Sequence, residues 1–446
     1  ITDVNHMGKG VGKINDFVVF IDNTISGDYV QIQIFDIKKN YAEGKLIKII
    51  EKSTDRIESP CSFYHQCGGC QLMHMSYEQQ LIYKKNRVIN ELRRAGVNLE
   101  GINIYDTIGM DTPFRYRNKT AFFTAQKDKT IIMGPYEQGT YNTVNISNCL
   151  LQSEAADKAF GVIRKAIAKY NIAAYDKKTG NGFIRSIIIR SNKKNELMII
   201  IVTSKESFPN KQELTAALTS EIIGLKTIVQ NINNKPTNLI MGDKNITLFG
   251  EGVIEDTIGD LIFKISPETF FQINPVQTEK LYSKAIEYAD LTGDNICFDL
   301  YCGIGTISLM ASRSAKKVYG VEIVEQSIIN AKENASLNKI KNVEFYAGKT
   351  EKLLPKLYKQ GIKADVIIVD PPRKGCEREV IDTIIDMSPN KIVYVSCNPQ
   401  TLARDIKLLE TGGYRLEKVQ PVDQFPWTVH VETIILMTNC GSDSKK

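Results

Sequence analysis

Beyond about residue 265, the sequence repeats a pattern of strand, loop and helix. The predicted strands include DVIIVD and KIVYVSC, which are apolar along almost their whole length. Such strands are typical of a parallel sheet with helices on both faces, because both faces of each strand are then buried. We therefore expect residues 256–446 to form a doubly wound α/β domain. In such a sheet, ligands bind in the crevice at the carboxyl ends of the strands.

Two further domains are predicted before residue 256. Residues 1–57 contain the short strands FVVFID, DYVQIQIFDI and GKLIKII, separated by turn-forming Gly, Asn and Asp, which indicates a small OB-like β-barrel. Residues 58–255 alternate strands such as SIIIR and ELMIIIVT with helices, so a central α+β domain is expected. Within it, apolar residues at helical spacing predict a helix at about 77–96 that links domains and is able to pack on the C-terminal one.

A glycine-containing turn in FDLYCGIGTISL suggests a nucleotide-type ligand. A predicted strand ends at Asp299 and runs through Gly303 and Gly305 into a helix, which lets the backbone approach a ligand closely. Glu322 ends the next strand, where a carboxylate is able to hold the two hydroxyls of a ribose. The alternative is a tight strand-to-helix turn with a capping acid and no ligand. The turn lacks the third glycine of the dinucleotide-binding motif, so it indicates a Rossmann-like fold without fixing the cofactor.

Two chemically reactive side chains follow neighbouring predicted strands. Asp370 begins a rigid Asp-Pro-Pro-Arg loop, and Cys397 lies in VSCNP just before the helix TLARDIKLL, which suits an exposed thiol. A thiol nucleophile needs a partner that moves protons. Glu432 lies on the otherwise apolar strand WTVHVETIILM, where a carboxylate is costly without a role. His430, two residues earlier on the same face, competes for the same role.

The motifs DLYCGIGT, VDPPRKG, VSCNPQTLARD and HVET, preceded by FFQINPVQTEKLY, resemble the RNA uracil-C5 methyltransferase family. The resemblance covers the whole chain. The N-terminal barrel resembles the TRAM domain of that family, and the complete arrangement is similar to the members that act on 23S ribosomal RNA. The fold that it implies is a Rossmann-like methyltransferase domain preceded by the barrel and the central α+β domain.

The resemblance also implies a mechanism and a set of site residues. Uracil C5 is a poor nucleophile until a thiolate adds to C6, so the chemistry needs a cysteine and a base that removes the C5 proton. By resemblance, Cys397 is the nucleophile and Glu432 the general base, and Phe270 is a neighbour of the target base. The residues expected around S-adenosylmethionine are Gln272, Tyr301, Glu322 and Asp370.

Four cysteines before residue 150 form a second constellation. Cys61, Cys67 and Cys70 have the spacing C-x5-C-x2-C, and Cys149 follows in SNCLLQ. Four thiolates suit either zinc or an iron–sulfur cluster, and the spacing alone does not separate these alternatives. The resemblance favours a [4Fe-4S] cluster. We expect such a cluster to help fold the central domain and shape its RNA-binding surface, without redox turnover.

The substrate and its alternatives follow from the same features. The barrel and the four cysteines favour 23S ribosomal RNA with a looped or single-stranded uridine, because the base must leave its stack to reach Cys397. A transfer-RNA uridine methyltransferase is the alternative. Intact motifs disfavour a non-catalytic RNA-binding protein, and Cys376 lies too late in the chain to be the second cysteine of a cytosine-C5 enzyme. Arg373 stands where N6-adenine enzymes carry an aromatic residue.

Charge and hydropathy set broader expectations. The net charge of +6 weakly favours a polyanionic partner. No apolar run reaches the roughly 18 residues of a membrane span, and a signal-peptide pattern is lacking. We therefore expect a cytoplasmic protein that is monomeric and does not contact membranes.

Overall fold

The computed structural model describes residues 1–127 and 130–441, and the chain divides into two units. The first unit contains Ile1–Pro60, Cys70–Asp111 and Gln277–Lys446, and the second contains Cys61–Gly69 and Thr112–Val276. These limits differ from the predicted boundaries, since residues 256–276 group with the central region rather than with the C-terminal domain. One reason is local: Asp256 accepts a hydrogen bond from the amide of Lys193 at 3.1 Å, and the carbonyl of Glu255 accepts one from Asn192 at 2.7 Å.

The first unit begins with a five-stranded sheet in the order β1-β2-β3-β5-β4. Alternate residues of its strands point inward and enclose a small core around Val19, Ile21 and Ala42. Asp28, fully buried, accepts hydrogen bonds from Arg56 and from two backbone amides, which ties the end of this sheet to its exit segment. The strands are β1 (Asp3–Val4), β2 (Gly10–Ile14), β3 (Phe17–Ile21), β4 (Tyr29–Ile37) and β5 (Tyr41–Glu51).

A long helix, α1 (Tyr77–Arg94), follows, and the short strand β6 (Asn103–Ile104) comes after it. The helix begins where the Ser76 hydroxyl accepts a hydrogen bond from the amide of Gln79, a typical N-cap. The helix ends before Gly96, which has a φ of 75°. This left-handed conformation does not fit an α-helix and is typical of a helix end. The buried side chains of Val88 and Leu92 join the apolar core of the C-terminal sheet described below.

The second unit is built on a six-stranded sheet in the order β12-β11-β10-β9-β7-β8. Helices α2 (Glu154–Lys169) and α3 (Lys211–Glu221) contribute the buried side chains Phe160, Ile163 and Leu214 to its core. The remaining two strands form a separate hairpin. The strands are β7 (Lys119–Lys127), β8 (Thr130–Gly134), β9 (Ile184–Ser191), β10 (Leu197–Thr203), β11 (Leu225–Ile232), β12 (Lys244–Phe249), β13 (Ile254–Ile258) and β14 (Leu261–Ile265).

The rest of the first unit is an eight-stranded sheet in the order β17-β16-β15-β18-β19-β21-β20-β6. Strands β15 to β19 are parallel, and β21 runs antiparallel between β19 and β20. The elements are α4 (Pro275–Ala289), β15 (Ile296–Leu300), α5 (Thr306–Ala311), β16 (Lys317–Glu322), α6 (Glu325–Leu337), β17 (Val343–Ala347), α7 (Thr350–Lys359), β18 (Val366–Val369), α8 (Arg378–Met387), β19 (Lys391–Ser396), α9 (Pro399–Thr411), β20 (Tyr414–Val422) and β21 (Glu432–Asn439).

This topology confirms the predicted α/β class for the C-terminal sheet, with the barrel strands before it. The central strands were expected to be apolar because both of their faces are covered, and the residues Ile367, Ile368 and Val393 are fully buried. Among residues 1–127 and 130–441, no helix has both the length and the apolar character that crossing a membrane requires.

Candidate active site

The sheet topology brings the predicted site residues of the first unit to one edge. Leu300 pairs with Val321 on one side and with Val369 on the other, so strands β15, β16 and β18 end side by side. Strand β21 is antiparallel, and its second residue, Thr433, pairs with Ser396 at the end of β19. The first residue of β21 therefore lies beside the residue that follows β19. These two residues are Glu432 and Cys397.

The turn after β15 has a backbone shape that few side chains tolerate. Tyr301 has a φ of 68°, and Gly305 has a φ of 83°, both in the left-handed region. A Cβ atom at Gly305 would lie 2.9 Å from Cζ of Phe345, so only glycine fits there without a shift. A strained tyrosine beside such a turn marks a position that its surroundings hold in place. The turn places backbone groups near the ends of the strands, where a nucleotide-type ligand would contact them.

Glu322 is fixed at the end of β16 by two backbone amides. Its Oε2 accepts a hydrogen bond from Gly303 at 3.2 Å, and its Oε1 accepts one from Val324 at 2.9 Å. The side chain is half-buried, so part of the carboxylate still faces solvent. A carboxylate oriented in this way is able to accept further hydrogen bonds from ligand hydroxyls.

Two more carboxyl groups lie at the same edge and are poorly solvated. Burial raises the pKa of Asp299 to about 7, and repulsion from Asp370 and Glu322 adds to the rise. Loss of solvent also raises the pKa of Asp370 to about 7. The Ser308 hydroxyl donates to Oδ2 of Asp299, whereas Oδ1 is buried without a partner among the described residues. Three acids in this arrangement favour a ligand that brings donors or positive charge.

Cys397 lies in the loop between β19 and α9. The pKa of its thiol is raised to about 11, mainly by burial and in part by the charges of Glu432 and Asp370, while Arg373 opposes the rise. The side chain of Asn398 accepts a hydrogen bond from the amide of Gln400 at 3.1 Å and so caps α9. The same side chain donates to the carbonyl of Arg373 at 2.9 Å. The thiol loop and the Asp-Pro-Pro-Arg loop are thus held together.

Glu432 is only 3% exposed. Burial raises the pKa of its carboxyl to about 8, with a further rise from Asp370 and an opposing effect of Arg373. A carboxyl group with a pKa near neutrality is suited to general acid–base work. The competing candidate, His430, packs edge-on against Phe425 with ring centroids 5.9 Å apart. Among the groups that shift the thiol pKa, Glu432 has the largest charge effect.

Gln272, predicted to contact the cofactor, and Phe270, predicted to neighbour the target base, belong to the second unit. The other residues predicted around the cofactor belong to the first unit. The backbone carbonyl of Gln272 accepts a hydrogen bond from the Asn118 side chain at 2.9 Å. Phe270 is 71% exposed, which leaves its ring available for contact. Arg190, also in the second unit, donates to the carbonyl of Thr269. The segment that carries both predicted residues is therefore well anchored within its unit.

Three of the four predicted cluster cysteines, Cys61, Cys67 and Cys149, belong to the second unit. Burial raises the pKa of the Cys61 and Cys67 thiols, and the charge of Cys149 raises both further. All three side chains are half-buried, as is Cys70 in the first unit. Within the described ranges, no group of three or more His, Cys, Asp or Glu side chains is arranged to hold a metal ion.

Two residues of this edge were not predicted as site residues. Asp299 was noted as the end of a strand, and its full burial follows from packing that the sequence does not display. Arg373 was noted for its difference from an aromatic residue, whereas the structure gives it an electrostatic effect on both Cys397 and Glu432. The only sequence signal for either was its position at the end of an apolar strand.

Comparisons of the sequence with known proteins show the family. Residues 76–440 match the family model of tRNA (uracil-5-)-methyltransferases, and residues 1–47 match the TRAM domain. An uncharacterized RNA methyltransferase of Clostridium acetobutylicum is 48% identical over 439 residues, which cover 98% of this chain and 95% of that protein. A second, from Clostridium tetani, is 47% identical over 448 residues, with coverages of 100% and 96%.

A solved structure shares the fold. It is the tRNA (uracil-54, C5)-methyltransferase of Pyrococcus abyssi in complex with S-adenosyl-L-homocysteine, with a TM-score of 0.77 and 24% sequence identity. The match covers 98% of this chain and 99% of the other. At this level of identity, the likeness bears on the fold.

Proposed function

Because this chain belongs to the tRNA (uracil-5-)-methyltransferase family, whose members are S-adenosylmethionine-dependent RNA methyltransferases, we propose that it methylates C5 of a specific uridine in 23S ribosomal RNA. The observation that carries the chemistry is the neighbouring position of a thiol and a buried carboxyl, Cys397 and Glu432, at the edge where three further acids lie. The choice of ribosomal RNA rests on the barrel together with the four cysteines, as in the family members that the sequence resembles.

In the proposed mechanism, the Cys397 thiolate adds to C6 of uracil and turns C5 into a nucleophile. The methyl group of S-adenosylmethionine is electrophilic because it is bound to a positively charged sulfur. When bound, S-adenosylmethionine would supply this methyl group to C5 and leave as S-adenosylhomocysteine. The Glu432 carboxylate then takes the C5 proton, the C6–S bond breaks, and the thiolate leaves 5-methyluridine. The positive charge of Arg373 partly offsets the negative charges of the thiolate and the carboxylates.

The cofactor contacts are proposed on the same basis. Glu322, already held by two amides, accepts hydrogen bonds from the ribose hydroxyls. Asp370 and Tyr301 line the same edge. Oδ1 of Asp299 is buried without a partner among the described residues, and the glycine turn lies beside it in the chain. Both features fit S-adenosylmethionine, which has a cationic group and hydroxyl groups. Gln272, which belongs to the second unit, is proposed as a cofactor residue on the resemblance alone.

We also propose that Cys61, Cys67, Cys70 and Cys149 bind a [4Fe-4S] cluster, which requires thiolate ligands. The charge of Cys149 raises the pKa of both the Cys61 and the Cys67 thiol, which supports a shared site. Four thiolates suit zinc as well, and the choice of the cluster rests on the resemblance to the family. Protein that is purified anaerobically should be brown and contain iron and sulfide; colourless protein with stoichiometric zinc would contradict the proposal.

Two substitutions test the chemistry. Cys397→Ala should abolish both turnover and any covalent RNA adduct, whereas Glu432→Gln should accumulate the adduct because the C5 proton remains in place. Cys440→Ala, which removes an exposed thiol, is the matched control and should behave as wild type. Adducts are measured by denaturing gel electrophoresis with labelled RNA. If Glu432→Gln turned over normally, His430 or water would be the better candidate for the base.

The substrate is tested separately. Mass spectrometry of 23S ribosomal RNA from a strain that lacks the gene should show the loss of a 5-methyluridine. A full complement of 5-methyluridine there would refute the ribosomal assignment. The second candidate, transfer RNA, is favoured by the name of the matching family model and by the tRNA enzyme that shares the fold. Loss of 5-methyluridine from transfer RNA in the same strain would support it.

A further inference from the structure

The segment that leads into Glu432 has a strained backbone. Residues 423–431 connect β20 to β21, and we call them the base loop. They contain the one tryptophan of the chain, Trp427, whose φ of 68° lies in the left-handed region. A bulky aromatic residue in that region is a conformational outlier, which persists only when the surroundings hold it. The contacts that hold it identify residues on which the position of Glu432 depends.

Helix α1 provides a buried ion pair to the start of the base loop. The Lys84 ammonium donates to Oδ1 of Asp423 and, at 3.0 Å, to the carbonyl of Phe425. The Tyr77 hydroxyl donates to Oδ2 of the same aspartate at 2.7 Å. Both charged side chains are fully buried. Such a pair is poor evidence for added stability, because desolvation offsets the attraction, but it fixes geometry when every donor is satisfied.

The same face of α1 also holds the middle of the base loop. The amide of Trp427 donates to Oε1 of Gln80 at 3.1 Å. The carbonyl of Trp427 accepts from the amides of Gln71 and Leu72, each at 3.0 Å. Through its side-chain amide, Gln80 donates to the carbonyl of Met75 at 2.8 Å, so it bridges the loop and the segment before the helix. The strained residue is therefore held from both sides.

A last contact reaches the end of the base loop, where Arg87 donates to the carbonyl of Val429. The four α1 side chains are spaced by three, four and three residues, which places them on one face of the helix. Together they contact the loop at its start, its middle and its end. These side chains are Tyr77, Gln80, Lys84 and Arg87.

We propose that this face of α1 positions the general base. The inference rests on the proposed role of Glu432. The carboxyl of Glu432 follows directly after the base loop, whereas Cys397 follows β19. A shift of the loop therefore changes the distance between the carboxyl and the thiol. Proton transfer requires its partners at hydrogen-bond distance, and a displacement of about 1 Å is able to cost about 100-fold in rate. Lys84 and its neighbours act through Glu432 and are positioning residues.

The test is the double variant Lys84→Met/Asp423→Asn, which removes both charges and leaves an acceptor for Tyr77. Turnover on uridine RNA should fall by about 10- to 100-fold in kcat with little change in KM, and the covalent adduct should accumulate. Adduct formation with 5-fluorouridine RNA should stay normal, because that substrate has no C5 proton to lose. The emission of Trp427 reports whether the loop has moved. Lys85→Met is the matched control, since Lys85 pairs with Asp106 on the exposed side of α1.

The outcomes separate this inference from the proposed function. Normal turnover in a folded double variant with shifted Trp427 emission would overturn the inference. An equal loss of turnover and of 5-fluorouridine adduct would also overturn it, because the network would then act on the whole site. If the double variant fails to fold, Tyr77→Phe removes only the hydrogen bonds that its hydroxyl donates to Asp423 and accepts from the amide of Met110, and it should give a smaller fall, about 3- to 10-fold, of the same kind. Failure of Glu432→Gln to trap the adduct would instead refute the role of Glu432 itself.

Discussion

Glu432→Gln should make the protein more stable at neutral pH while it stops turnover. In the folded protein, burial raises the pKa of this carboxyl from 4.5 to about 8. The folded state therefore keeps a proton that the unfolded chain releases above pH 4.5. Stability from this group is fully present below about pH 4.5 and is lost as the pH rises towards 8. Glutamine has nearly the same shape as the protonated acid and does not titrate.

The size of the effect follows from these two values. Each pH unit between them is worth about 1.36 kcal/mol, so at pH 7 the carboxyl lowers the free energy of unfolding by about 3 kcal/mol. At pH 5 the loss is about 1 kcal/mol, and above pH 8 it approaches 5 kcal/mol. The side chain is 3% exposed, so screening by solvent does little to reduce these figures. We expect the gain from glutamine to grow with pH in the same way.

Urea unfolding at pH 5, 6, 7 and 8, followed by the fluorescence of Trp427, measures this difference. The chain has one tryptophan, and it is buried in the unit that contains Glu432, so the signal reports the unfolding of that unit. Glu100→Gln, at an exposed position, is the control and should leave the curves unchanged. A glutamine variant whose stability gain is the same at pH 5 and pH 8 would refute the reasoning, because the gain would then not come from ionisation.

Three further predictions concern other parts of the molecule. Glu432→Gln should lower the pKa of the Cys397 thiol, since it removes the largest charge that raises it; alkylation rates against pH would show this, and an unchanged profile would contradict it. Glu322→Gln should weaken S-adenosylmethionine binding by about 10-fold in calorimetry, with unchanged affinity arguing against the ribose contact. Arg190→Met removes donors from the carbonyls of Pro267 and Thr269, so it should destabilise the second unit by about 1–3 kcal/mol and expose this segment to proteases; equal proteolysis of both proteins would count against it.

Local patterns were sufficient to predict most elements of the fold. The predicted strand FVVFID corresponds to Phe17–Ile21, and the helical spacing between residues 77 and 96 corresponds to Tyr77–Arg94. These elements are recognisable because the period of their apolar residues reflects which face is buried. The limits of the units were not predictable in this way, since residues 256–276 join the second unit through contacts such as that of Asp256 with Lys193.

Two residues of the candidate site were proposed from local signals in the sequence. Cys397 and Glu432 were recognisable because each is a reactive residue next to an apolar strand in a family motif. The residues behind them were not. Gln80 and Lys84 are polar residues on a helix, a pattern that normally indicates a solvated face, yet both are fully buried. Their partners lie more than three hundred residues away, and periodicity within a helix contains no information on such pairing.

The distance along the chain between α1 and the base loop has a consequence for biosynthesis. Lys84 and Asp423 are separated by 339 residues, which a ribosome adds in roughly 20–70 s at 5–20 residues per second. The second unit ends at Val276, so all of it is translated before Asp423 is added, and it is able to fold first. The first unit is not able to complete its fold until β20 and β21 have been synthesised. Until then, the side chain of Lys84 stays in water. A nascent chain that stops before residue 423 thus lacks the acid that allows this helix face to be buried.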